Sequence, residues 1–143
     1  MRNFKWLALL FLLVGCNSED TTPFIEQGFT EDIASIESIV NKEERIQKRQ
    51  LVAAEDMVLV TYEMKPAFRV QKQRVERDLK KALEKAYPSL QFVVSGDFKL
   101  HYEAQQLAKK GRASTTKEQG ESTKDQSVKK EIEQLKKLAE EET

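Results

Sequence analysis

Between Ile46 and Met64, two segments of strand length, Ile46 to Ala54 with its apolar Leu51 to Ala54 end and the apolar Met57 to Met64, are separated by nothing but Glu55-Asp56. Two polar residues are the length of a tight hairpin loop, so Ile46 to Ala54 and Met57 to Met64 read as paired antiparallel strands. In the second run Val58, Val60, Tyr62 and Met64 share one face, while Met57, Leu59, Thr61 and Glu63 share the other. The period of two predicts a buried first face and a partly covered second one. A hairpin this apolar cannot stand alone in water, and the rest of the chain must supply its cover.

The flanking segments have the helical period that such cover needs. Thr30 can cap a helix over Glu31 to Asn41, whose first turn carries Glu31 and Asp32 and whose apolar face is Ile33, Ile36, Ile39 and Val40. After the hairpin, Pro66 suits a first helical turn. Phe68, Val75, Leu79, Ala82, Leu83 and Ala86 then recur at helical steps until Pro88, which predicts the longest helix of the chain. Gln91 to Ser95 is a short apolar strand. Gly96-Asp97 leads from it into a further helix that Asp97 can cap, with Phe98, Tyr102 and Leu107, together with Leu100 and Ala104, as its buried side. The predicted architecture over residues 30–110 is therefore α+β, in the order α-β-β-α-β-α, with a small three-stranded sheet covered on one face by helices.

Residues 111–127 are Gly, Ser, Thr, Gln and charge, with no apolar residue larger than Ala113. Such a stretch cannot bury enough surface to offset its ordering entropy, so a disordered linker is expected. Beyond it, over 128–143, Val128, Ile132, Leu135 and Ala139 make a narrow stripe on a charged amphipathic helix, too short for a coiled coil. A solvent-exposed helix is the expected reading, with docking on a partner as the alternative.

The N-terminus has a different logic. Arg2 and Lys5 precede an apolar run from Trp6 to Val14, which is shorter than the roughly 20 residues that a membrane-spanning helix needs. The run ends in Leu13-Val14-Gly15-Cys16 and switches at once to Asn17-Ser18-Glu19-Asp20. This is the pattern of a lipobox: residues 1–15 are read as a signal peptide cut between Gly15 and Cys16, and the Cys16 thiol as the acceptor of a diacylglycerol. The expected address is the extracytoplasmic face of the cell membrane, with membrane lipid as the first partner. Residues 16–29, with Thr21-Thr22-Pro23 and Gly28, read as a tether. Cys16 is the sole cysteine, so once it is acylated no disulfide or zinc-thiolate site remains within the chain.

Motifs for chemistry are sparse. His101 is the single imidazole and, on a predicted helix beside Tyr102 and Glu103, reads as a surface or half-packed residue. No GxSxG, HExxH, calcium-loop or phosphate-binding glycine pattern occurs, so no catalytic residue, metal ligand or cofactor is assigned. Acids fall in mixed runs such as Glu76-Arg77-Asp78, where helical charge pairing is the ordinary explanation. The chain has 24 basic and 24 acidic side chains, and removal of Arg2 and Lys5 leaves the acids ahead, so no global field favours nucleic acid. Charge is concentrated locally: eight basic residues face three acids between Lys65 and Lys85. Lys65, Arg69, Lys72, Arg77, Lys80 and Lys81 are the candidates for contact with an anionic lipid surface or wall polymer, against the ordinary reading as a solvated helix face.

The lipobox ending at Cys16, the hairpin LVAAEDMVLVTYEM from Leu51 to Met64, the helix VERDLKKALEKAYP from Val75 to Pro88 and FVVSGDFKL from Phe92 to Leu100 resemble the sporulation lipoprotein family of endospore-forming Firmicutes, of the YhcN/YlaJ type. The resemblance spans about residues 33–110. It implies a lipid-anchored protein made during spore formation, on the spore inner membrane or a nearby layer, with an effect on germination or outgrowth. It carries over no catalytic residues, and the long Asn- or Asp-rich N-terminal stretches of many members are missing here. The expected function is thus that of a non-enzymatic envelope lipoprotein contacting an envelope protein. The alternative is a module that binds an anionic wall polymer or small ligand.

Overall fold

A computed structural model describes residues 22–26, 28–115 and 128–141. Its elements are β1 (Phe24–Ile25), α1 (Ile33–Asn41), β2 (Ile46–Ala54), β3 (Met57–Met64), a 3-10 segment (Pro66–Gln71), α2 (Lys72–Ala86), β4 (Gln91–Ser95), α3 (Phe98–Thr115) and α4 (Val128–Glu141). The class is α+β, with a four-stranded mixed sheet in the order β1-β2-β3-β4. β1 runs parallel to β2, β2 antiparallel to β3, and β3 parallel to β4. The central hairpin thus joins two β-α-β units.

The hairpin forms where its sequence predicts it. Ala54 pairs with Met57, and Glu55 supplies the positive φ (48°) required at the first position of a two-residue loop. Leu51, Ala53, Val58, Val60 and Tyr62 on one face pack with Phe92 and Val94 against Ile36 and Val40 of α1 and Val75, Leu79 and Leu83 of α2. Tyr62 is fully buried there. Its hydroxyl donates to the Lys72 carbonyl (3.3 Å), and burial pushes the phenol well above its ordinary pKa of 10.0.

Several expectations are corrected. The sheet has four strands rather than three, and helices cover both faces rather than one. Phe24, Val52, Ala54, Met57, Leu59 and Val93 form a second core with Leu100, Ala104, Leu107 and Ala108 of α3 and Ile132 and Leu135 of α4. Each buried aliphatic side chain of this layer contributes about 1.5–3 kcal/mol, which explains why the second face of β3 is closed rather than partly covered. The tether expected over 16–29 ends early, because Phe24 and Ile25 pair with Val52 and Ala53. Asp32, not Thr30, caps α1: its carboxylate accepts from the Ala34 amide (3.1 Å) and the Ser35 hydroxyl (2.6 Å), which hold its pKa below the ordinary 3.8.

The segment from Pro66 to Pro88 is a 3-10 turn followed by α2, so α3, with 18 residues, is the longest helix described. Residues 111–115, expected to belong to a linker over 111–127, continue α3 to Thr115; residues 116–127 lie outside the described residues. Gly111 would ordinarily weaken a helix interior by about 1 kcal/mol. Here a Cβ at Gly111 would overlap the ring of Phe24, so glycine lets α3 close over β1. The expected solvent-exposed C-terminal helix is instead docked, with Ile132 0% exposed. Lys129 fastens α4 to the hairpin loop through Glu55 and Asp56 (both 2.8 Å).

Phe98 and Tyr102 depart furthest from expectation. Read as core, they are 70% and 52% exposed. The buried flank of α3 consists of Leu100, His101, Ala104, Leu107 and Ala108, whose small members allow close approach to the sheet.

Candidate functional site

Strand directions determine what meets at each end of the sheet. β3 and β4 run parallel and finish at Met64 and Ser95, so the segments that follow, Lys65–Gln71 and Gly96-Asp97, emerge at one end. β1 and β2 run the other way, so the chain enters β1 at that same end. The opposite end holds the β2–β3 loop and the start of α4.

The entering chain is fastened. The Thr22 carbonyl accepts hydrogen bonds from Gln50 Nε2 (3.1 Å) and from the Arg112 guanidinium near the end of α3. Cys16 and Gly15 lie outside the described residues. The contour from Cys16 to Thr22 covers six residues, which at full extension reach about 20 Å. An acyl group on Cys16 would therefore keep this end of the domain close to the lipid.

Below this entry lies a row of buried polar side chains on the α3 face of the sheet. Gln50 pairs across strands with Thr61, and Thr61 with Ser95; all three are buried. His101, expected near the surface, is 2% exposed and covers the row. Its Nδ1 lies 3.0 Å from Thr61 Oγ1, and its Nε2 lies 3.3 Å from Gln105 Nε2. Both ring nitrogens therefore have a polar neighbour, the Thr61 hydroxyl at Nδ1 and the Gln105 amide at Nε2. The pair has the elements of a nucleophile and a base, yet Thr61 is fully buried, so its hydroxyl meets no substrate in this conformation. The contacts satisfy polar groups that would otherwise cost about 1–3 kcal/mol each when buried. Among the described residues no three His, Cys, Asp or Glu side chains converge to hold a metal ion. Among them, too, no helix is long and apolar enough to cross a membrane.

The predicted basic stripe divides between the two ends. Lys65 and Arg69 are exposed at the chain-entry end, and Lys72 is half-buried at the start of α2. Arg77, Lys80 and Lys81 are exposed farther along α2. They are interleaved with acids: Arg77 and Arg74 lie 3.8 and 3.7 Å from Asp78, and Lys80 lies 3.9 Å from Glu84. Exposed pairs of this kind stabilise weakly but dilute the local positive field. Next to the entry end, Arg45 makes a bidentate pair with Glu43 (2.6 and 2.7 Å) that holds the Glu43 carboxyl below its ordinary 4.5.

Sequence reasoning did not find Thr22, Gln50 and Arg112, which position the entering chain. The available signal was a glutamine at the border between the polar and apolar halves of β2 and an arginine just past the last large apolar residues of α3. Comparison with known protein families, with curated proteins and with solved structures returns no match for this chain.

Proposed function

We propose that this chain is a lipoprotein of the bacterial envelope, held on the outer face of the membrane by diacylglycerol on Cys16 and working by contact rather than by catalysis. The observation that carries the reading is the Leu13-Val14-Gly15-Cys16 sequence at the end of a short apolar run with a basic start. Two features of the fold support it. Thr22 is fastened six residues after Cys16, which suits a domain kept against its anchor. The single imidazole is buried, with Thr61 and Gln105 at its two ring nitrogens, as suits a packing role. The resemblance of the hairpin and helix motifs to sporulation lipoproteins supports a place in the spore envelope, at the inner membrane, with an effect on germination.

The anchor is tested by replacing Cys16→Ala and fractionating cells. The wild-type protein is expected in the membrane pellet and the variant in the soluble fraction, since two acyl chains hold a protein where none remains. A variant retained in the pellet as strongly as wild type would overturn the anchor. Timing tests the sporulation role: a transcript confined to vegetative growth contradicts it, and one induced in developing spores agrees with it.

A further inference from the structure

We infer that the chain-entry end of the sheet is a membrane-apposed surface, in which exposed Val70, Phe98 and Tyr102 enter the headgroup boundary of an anionic bilayer and Lys65, Arg69, Lys109 and Arg112 meet its phosphates. The inference rests on the lipid-anchor reading of Cys16 and goes beyond it by naming the face that touches lipid.

Three observations converge on this end. The first is apolar exposure. Val70 is 95% exposed, Phe98 70% and Tyr102 52%, and all three lie in segments that follow the C-terminal ends of β3 and β4. Isolated exposed apolar residues are ordinary, but here three large ones occur in the two segments that leave the same end of the sheet.

The second is the pattern on α3. Phe98, Tyr102, Gln105, Lys109 and Arg112 follow one another at steps of four and three residues, so they form one stripe along the helix, about 21 Å long at 1.5 Å per residue. The opposite flank of α3, with Lys99, Glu103, Leu107 and Lys110, lines the groove against α4. The stripe itself carries no acid. An aromatic half followed by a basic half is the composition of an interfacial helix: rings sit at headgroup depth, while cations gain from anionic lipid.

The third is reach. Arg112 at the end of the stripe holds Thr22, and the contour from there to Cys16 is about 20 Å at most, no longer than the stripe itself. A domain on so short a leash turns the end that carries the leash toward the lipid. The acids at this end are engaged internally: Glu43 with Arg45, Glu63 with Lys48 and Gln47, Glu76 with the Gly96 amide, and Asp97 as the cap of α3. Glu44, Asp78 near Arg45, and Glu103 on the α4-facing flank of α3 are exposed acids beside them.

The mature protein offers a clean probe, because the single tryptophan, Trp6, lies in the segment removed as signal. The lipidated full-length product would be prepared as Phe98→Trp, Ser89→Trp and Lys81→Trp. All three sites are exposed; residue 89 lies in the turn before β4 and residue 81 on the outer face of α2. Each variant is reconstituted in phosphatidylcholine–phosphatidylglycerol vesicles containing lipid brominated on its acyl chains. Quenching of the residue-98 fluorophore is expected to exceed that at residues 89 and 81 by about twofold or more. Equal quenching at all three positions, or stronger quenching at residue 81, would overturn the assignment of this face while leaving the anchor standing. Failure of the wild-type membrane product to float with vesicles would remove the anchor reading, and this inference with it.

Discussion

The two ends of the sheet are finished in opposite ways. At the hairpin end, the Glu55-Asp56 loop is clamped by Lys129, the Gln91 amide donates to the Asp56 carbonyl (2.8 Å), and α4 closes the face over Met57 and Leu59. At the chain-entry end, the strands give way to a 3-10 turn and the start of α3, and three large apolar side chains point to solvent. Both ends rest on the same pair of cores, so stability does not require the difference. An end left apolar and basic fits the lipid contact proposed for it, and an end sealed by ion pairs fits a face turned to water.

The comparison can be broken first at the sealed end. Ile132→Ala removes the fully buried side chain that seats α4 and is expected to cost about 2–5 kcal/mol in chemical denaturation. Proteolysis of native protein should then begin in α4 rather than in α3. A loss under about 1 kcal/mol would mean that α4 contributes little to the fold.

His101→Ala tests the layer beneath the open end. It opens a cavity and leaves Thr61 without its buried partner, for an expected loss of about 2–3 kcal/mol. His101→Asn, which can still reach Thr61, should recover part of that loss. If alanine and asparagine were equally destabilising, the hydrogen bond would have no role in the fold.

Lys129→Met should have a smaller effect, and one that depends on pH. The Lys129 ammonium holds the Asp56 carboxyl below its ordinary 3.8, so the pair stabilises the fold fully above that value and is lost as pH falls through the lowered one. The stability gap between wild type and variant should therefore be level near neutrality and close below pH 3.8. A gap that widens on acidification would contradict the pairing.

The smallest change in stability is expected for Phe98→Ser combined with Tyr102→Ser, within about 0.5 kcal/mol of wild type because both side chains already face solvent. The same double variant should lower the quenching of a fluorophore placed at Val70. A large loss of stability would return both rings to the core.

Much of the fold is legible from the chain. Glu55-Asp56 between apolar Leu51 to Ala54 and Met57 to Val60 fixes the hairpin, and Val75, Leu79 and Leu83 mark the buried face of α2 because local spacing alone decides both. What escaped depends on partners distant in sequence. Phe24 and Ile25 are too few to show a strand period, and their pairing is with Val52 and Ala53. The Ile132 and Leu135 stripe is narrow on its own, and it is sufficient only because Met57, Leu59 and Val93 together make a complementary floor. Phe98 and Tyr102 are hydrophobic enough to suggest core. α3 nevertheless turns its smaller Ala104, Ala108 and Gly111 inward, where they allow close approach to the sheet and to Phe24. The leash was legible in its length only once Thr22 was seen to be held.

The proposed tie of this domain to a membrane at Cys16 is open to a single readout, the mass of the N-terminal peptide from membrane-extracted protein. A mature chain that begins at Cys16, lacks residues 1–15 and carries a diacylglyceryl group on that residue is expected. A chain that retains residues 1–15 with an unmodified Cys16 thiol would contradict it.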